Sequence, residues 1–151
     1  MTRVSLFRSA FKLSILFLSL IWLNNSPISI VYAQPTFSMV FSPDTMGPGS
    51  TSTLIYTINN VEPIPVDEIA FVDNLPAGLT IADPPSAMVG DDCGSSYVFT
   101  APAGGTTVVF SGGTLPPGDV CTLQINVTSS DIPTAGSPIT YMNVSGALTS
   151  S

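Results

Sequence analysis

The sequence predicts an all-β chain, an antiparallel sandwich of short strands. Three observations carry this. Thr, Val, Ile, Tyr and Phe recur in short alternating runs between Pro and Gly clusters. No segment combines helical periodicity with helix-forming residues. The three basic residues, Arg3, Arg8 and Lys12, all precede an apolar run at 13–23, which separates a leader from the part that folds.

A basic start followed by a short apolar run is the pattern of a signal peptide, because a span across the bilayer needs about 20 apolar residues. Val31, Tyr32 and Ala33 supply the small or apolar positions that a signal peptidase reads, so cleavage is expected between Ala33 and Gln34. Residues 1–33 are therefore read as the signal peptide and 34–151 as one secreted or cell-surface domain, with no membrane attachment after cleavage. A domain of that size can enclose a single apolar core.

The first run, 36–42, places Phe37, Met39 and Phe41 on one face. Gly47-Pro48-Gly49 follows, with Pro48 and Gly49 suited to the centre of a type II turn. The run 52–59 alternates Leu54, Tyr56 and Ile58 against Thr53 and Thr57, the clearest half-buried strand in the chain. Residues 68–73 carry Ile69, Phe71 and Val72 and stop at Leu75-Pro76-Ala77-Gly78. A short extended piece at 79–81 enters a proline-interrupted loop that lasts to Asp92.

Beyond Cys93 the runs are 97–100, 107–111, 121–129 and 139–148. The separators are Pro102-Ala103-Gly104-Gly105, Ser111-Gly112-Gly113 and Leu115-Pro116-Pro117-Gly118. In the run 121–129, Cys121, Leu123, Ile125 and Val127 share a face. Seven or eight strands result, the number of an immunoglobulin-like antiparallel β-sandwich.

The missing residue types restrict chemistry. All ten acids and no Lys, Arg or His lie in 34–151. Without His, the Ser-His-Asp and Cys-His arrangements are impossible, and without Lys there is no Schiff base. A uniformly acidic domain repels nucleic acid. Paired carboxylates of the glycosidase kind remain chemically available. Most acids, however, neighbour Pro, Gly or Asn, as in Asp73-Asn74-Leu75-Pro76 and Asp83-Pro84-Pro85, and read as solvated turn residues. The expectation is therefore no enzyme and no catalytic residue.

Cys93 and Cys121 are the only cysteines, and in an exported chain they are expected to form a disulfide. A redox pair is disfavoured, since there is no CxxC spacing and no basic neighbour to activate a thiol.

Several segments, in order along the chain, carry a resemblance. They are Pro35-Thr36-Phe37-Ser38, Gly49-Ser50-Thr51-Ser52-Thr53-Leu54, Phe71-Val72-Asp73-Asn74-Leu75-Pro76-Ala77-Gly78-Leu79, Gly112-Gly113-Thr114-Leu115-Pro116-Pro117-Gly118 and Tyr141-Met142-Asn143. Together they resemble an uncharacterised immunoglobulin-like repeat domain of large secreted bacterial proteins. The resemblance implies an extracellular β-sandwich with a structural or adhesive role. Members of that family usually continue past the Leu-Thr-Ser-Ser segment into a further apolar strand. The expectation is therefore that the final edge strand is lacking here, leaving a sheet edge open to other surface proteins or to a second copy.

The alternative function is a calcium-dependent or glycan-binding extracellular domain. Asp67-Glu68 and Asp91-Asp92 are the weak metal candidates, because calcium takes six to eight oxygens and clustered carboxylates supply several. No Asp-x-Asp-x-Asp-Gly series accompanies them. The only tryptophan, Trp22, lies in the signal segment, so Tyr56, Tyr97 and Tyr141 are the remaining phenols for stacking on a sugar, and their alternation assigns them to the core or a sheet face.

Overall fold

Alternating apolar residues need a second layer to cover them, and the chain supplies one by splitting its strands between two sheets. The computed structural model describes residues 34–135 and 137–151; the signal segment, including Ala33 at the expected cut, lies outside the described residues. In chain order the strands are β1 (Thr36–Ser42), β2 (Thr51–Asn59), β3 (Val66–Asn74), β4 (Thr80–Ile81), β5 (Met88–Val89), β6 (Val98–Thr100), β7 (Thr107–Leu115) and β8 (Val120–Thr128). A 3₁₀ turn spans Asp91–Cys93. The chain is thus all-β, as the sequence predicts, with every strand pair antiparallel.

One sheet runs β1-β2-β8-β4, with β5 also paired to β8; the other runs β3-β7-β6. β4 and β5 share one edge of β8, at Thr80↔Thr128 and Met88↔Gln124. Pro84 and Pro85 lie between them, and neither can donate to a ladder, so the edge strand is broken in two. The second piece, β5, lies within the stretch that the sequence predicts as a proline-interrupted loop.

Between the sheets, Leu54, Tyr56 and Ile58 of β2 and Leu123, Ile125 and Val127 of β8 meet Ile69 and Phe71 of β3 and Val108 and Phe110 of β7. Phe71 is the hub, with ring centroids 4.8 Å from Phe37, 4.9 Å from Tyr56 and 5.8 Å from Phe110. Cys93 and Cys121 are bonded, fastening the 3₁₀ turn to β8 at the buried margin of this core.

Three expectations are corrected. Ser111-Gly112-Gly113 does not end a strand: β7 continues to Leu115, through register shifts against β3 between Val66 and Phe71. The run 139–148 is not a strand of either sheet. Its last residues and those that follow lie beside β3, with bonds from Gly146 N to Val72 O (2.8 Å) and from Thr149 N to Ala70 O (2.9 Å). Asp73 is no solvated turn residue. It sits near the end of β3, fully buried, because its alternation with Phe71 turns it inward.

Candidate functional site

The end of β1, the starts of β2 and β4 and the end of β8 meet at one end of the sandwich, as the pairs Ser42↔Thr53, Thr51↔Thr128 and Thr80↔Thr128 require. The β1–β2 loop is fixed there by sequence-local chemistry. Gly49, at φ 71°, completes the expected turn with a 3.0 Å bond from Ser50 N to Gly47 O, and its own N–H donates to Ser129 O at 2.7 Å. Thr128 Oγ1 donates to Ser50 O at 2.7 Å, and the buried Ser52 Oγ donates to Pro43 O at 2.5 Å.

This anchored loop, Asp131, Pro133 and residues 138–141 enclose a cleft of about 420 Å³. Its apolar surfaces include Phe41, Met46, Leu79 and Ile139. Among the described residues, Asp44 and Asp131 are the only charged ones that line it.

Beside the cleft a ring of hydrogen bonds closes on itself. Asp131 N–H donates to Ser129 Oγ (3.1 Å), Ser129 Oγ lies 2.7 Å from Tyr141 Oη, and Tyr141 Oη donates to Asp131 Oδ2 (2.7 Å). Because the phenol proton goes to the carboxylate, the Ser129 hydroxyl is the donor to Tyr141. The Ser129 bond draws the Tyr141 phenol down, but the Asp131 hydrogen bond, with desolvation and that residue's charge, outweighs it and leaves the phenol above its ordinary value. The Gly78 turn makes room for the ring. At φ 94° with no side chain, it avoids Asp131 Oδ2 and a 2.8 Å approach to Tyr141 Cε1 that a Cβ would make.

A second polar cluster is internal. Tyr56 Oη and Asn143 Nδ2 both donate to Asp73 Oδ2, each at 2.7 Å. A third polar hub, Asn60, is fully buried and donates to Ile64 O (2.9 Å) and Leu115 O (2.9 Å) while accepting from Glu62 N (3.0 Å). It ties the β2–β3 loop to the end of β7.

The metal candidates of the sequence lie on separate elements. Asp67 and Glu68 are exposed on β3, with Glu68 at φ 52° where the register against β7 shifts. Asp91 and Asp92 begin the 3₁₀ turn next to Cys93. Among the described residues no group of three or more His, Cys, Asp or Glu is placed to hold a metal ion. Gln34, on the other side of the expected cut, accepts a 3.2 Å bond from Ser150 Oγ.

The cleft and its ring were not singled out by the sequence. Alternation assigns Tyr141 to packing, and Ser129 and Asp131 lie twelve and ten residues before it with no motif to join them. Among known families, the model of a domain of unknown function (DUF7933) matches residues 35–151. No curated protein matches the chain.

Proposed function

Since the chain belongs to the DUF7933 family, a domain of unknown function, we propose from its own site that it is a non-catalytic, exported module of the cell surface or its surroundings. It makes contact through the cleft at the β1–β2 end. The observation that carries this reading is the closed Asp131-Ser129-Tyr141 ring beside that cleft. A nucleophilic hydroxyl needs a free base within reach. Ser129 is only 5% exposed, and its oxygen and proton are both committed, the latter to a phenol whose own proton is held by Asp131. The ring therefore stiffens a wall and offers no reactive group, while the apolar surfaces next to it remain open to a partner.

The role is structural and adhesive, as the resemblance to repeats of secreted bacterial proteins implies, and the leader read in the sequence supports a location outside the cell. Cells producing the chain, compared with cells producing Thr140→Trp, test this: Thr140 is exposed and lines the cleft, so an indole there occludes it without touching the core. Attachment of cells to one another or to a protein-coated surface is expected to fall with the variant. Equal attachment would overturn the reading. The exported chain is expected to begin at Gln34, which intact-mass measurement checks.

A further inference from the structure

Asp44 and Asp131 border an apolar cleft in a domain that has no Lys, Arg or His from position 13 onward, so neither carboxylate has a basic side chain of its own domain to neutralise it. We propose that the cleft is a recognition site for a basic side chain, lysine or arginine, on an extended segment of a different protein. The inference rests on the contact role proposed above and names the chemistry of the partner.

Charge complementarity selects the occupant. A lysine or arginine has an apolar stem and a cationic head, and it buries the first while keeping the second at a polar rim. The cleft offers the matching arrangement: Phe41, Met46, Leu79 and Ile139 for the stem, with Asp44 and Asp131 for the head. Asp131 is prepared for this role, because the Tyr141 phenol occupies Oδ2 and fixes the carboxylate group. A concave site with one sign of charge also concentrates the opposite sign from solution.

The same inventory disfavours other occupants. A second copy of residues 34–151 brings ten acids and no basic side chain, so two copies meeting at this end repel. An acidic or phosphorylated segment is repelled for the same reason. A purely apolar segment would strip water from two carboxylates and replace it with nothing.

The test is calorimetric titration of the full chain with two peptides, acetyl-Lys-Ala-Lys-amide and the same peptide carrying norleucine for lysine. The norleucine peptide keeps most of each stem and loses the charge. The lysine peptide is expected to bind at least about tenfold more tightly, and its affinity to fall as salt is added. Asp44→Asn and Asp131→Asn should each weaken it roughly two- to fivefold, the usual range for an exposed ion pair. Asparagine at 131 still presents an oxygen to Tyr141, and Asp44 lies on an exposed loop, so both variants retain the fold.

Thr140→Trp should abolish binding. Equal binding of the norleucine peptide would overturn the proposal, and so would full binding by Thr140→Trp, since attraction to the whole acidic surface does not depend on the cleft. Calcium chloride that displaces the lysine peptide more effectively than sodium chloride of equal ionic strength would assign the carboxylates to the metal and overturn it as well. If the peptide fails while Thr140→Trp still reduces attachment of cells, the contact role stands and the basic partner does not.

Discussion

Asn143 donates a 2.7 Å hydrogen bond to the carboxylate of Asp73, 70 positions earlier in the chain, at the same oxygen that receives the Tyr56 phenol. Tyr56 belongs to β2 and Asp73 to β3, so this one oxygen joins the two sheets to the segment that follows β8. Asp73 Oδ1 and Asn143 Oδ1 are buried without a partner among the described residues, which leaves the network little surplus. Removing a donor from a buried acceptor costs about 1–3 kcal/mol. Asn143→Ala is therefore expected to lower unfolding free energy by that amount in denaturant titration. The amides of Gly146 and Thr149, bonded to β3, should exchange faster, while those in the middle of β2 should not.

The same cluster sets a pH dependence. Burial first, then the hydrogen bond to Asp73 and its charge, hold the Tyr56 phenol far above its ordinary value. In the unfolded chain a tyrosine loses its proton near pH 10. Above that pH the unfolded state binds fewer protons than the folded one, so stability falls as pH rises, by at most about 1.4 kcal/mol per pH unit for this group. Below pH 10 the contribution is fully present. Tyr56→Phe should be less stable than the parent at neutral pH, and its stability should decline less between about pH 10 and 11. An identical decline in both would contradict the assignment.

How far the sequence could be read depended on range. Period-two alternation is local, and it located β1 to the residue and the buried faces of β2 and β8, where Leu54, Tyr56, Ile58, Leu123, Ile125 and Val127 are all fully buried. Polar residues defeated the same reading. Asp73 and Asn60 are both fully buried, and each depends on a partner remote in sequence: Asn143 for the first, and for the second Leu115 O, beside the nearby Ile64 O and Glu62 N. No local pattern announces such a pairing. The cleft is illegible for the same reason, since the walls come from the β1–β2 loop and from residues such as Asp131 and 138–141, which meet only once β2 pairs with β8.

Gly113 shows a different failure. The Gly112-Gly113 pair looked like a strand break, yet Gly113 is needed within β7 because the Phe110 ring folds over it. A Cβ at 113 would stand 2.6 Å from Phe110 Cε1 and 3.3 Å from Ile69 Cβ. Both neighbours are core residues with little freedom to retreat. Gly113→Ala is expected to cost about 1–3 kcal/mol, as overpacking of a core does. Gly47, whose φ is not positive and where a Cβ would meet only Ser50 Oγ at an ordinary 3.6 Å, provides a control for the general effect of losing a glycine. A loss at Gly113 no larger than at Gly47 would refute the packing explanation.

The disulfide acts on the unfolded chain. Cys93 and Cys121 are 28 positions apart, and closing a loop of that size stabilises by roughly 3–4 kcal/mol on the chain-entropy model. Replacing both by alanine should lower the thermal midpoint without altering attachment of cells, because neither sulfur lines the cleft. Free thiols titrating in the native oxidised protein would rule the bond out.

Ten carboxylates without a basic side chain in residues 34–151 repel one another at neutral pH, and this repulsion is a property of the whole surface. Salt screens it, with a Debye length of about 30 Å at 0.01 M and about 10 Å at 0.1 M. The thermal midpoint is therefore expected to rise as sodium chloride is raised through that range. Calcium would add to this only by binding a site, and a site needs several oxygens converging on one point. Asp67 and Glu68 stand on β3 and Asp91 and Asp92 on the 3₁₀ turn, so each pair supplies two side chains. The expected result is the same midpoint in calcium chloride and sodium chloride of equal ionic strength. A rise at micromolar calcium, with ionic strength held constant, would reverse the conclusion and restore calcium-dependent binding as the function to pursue.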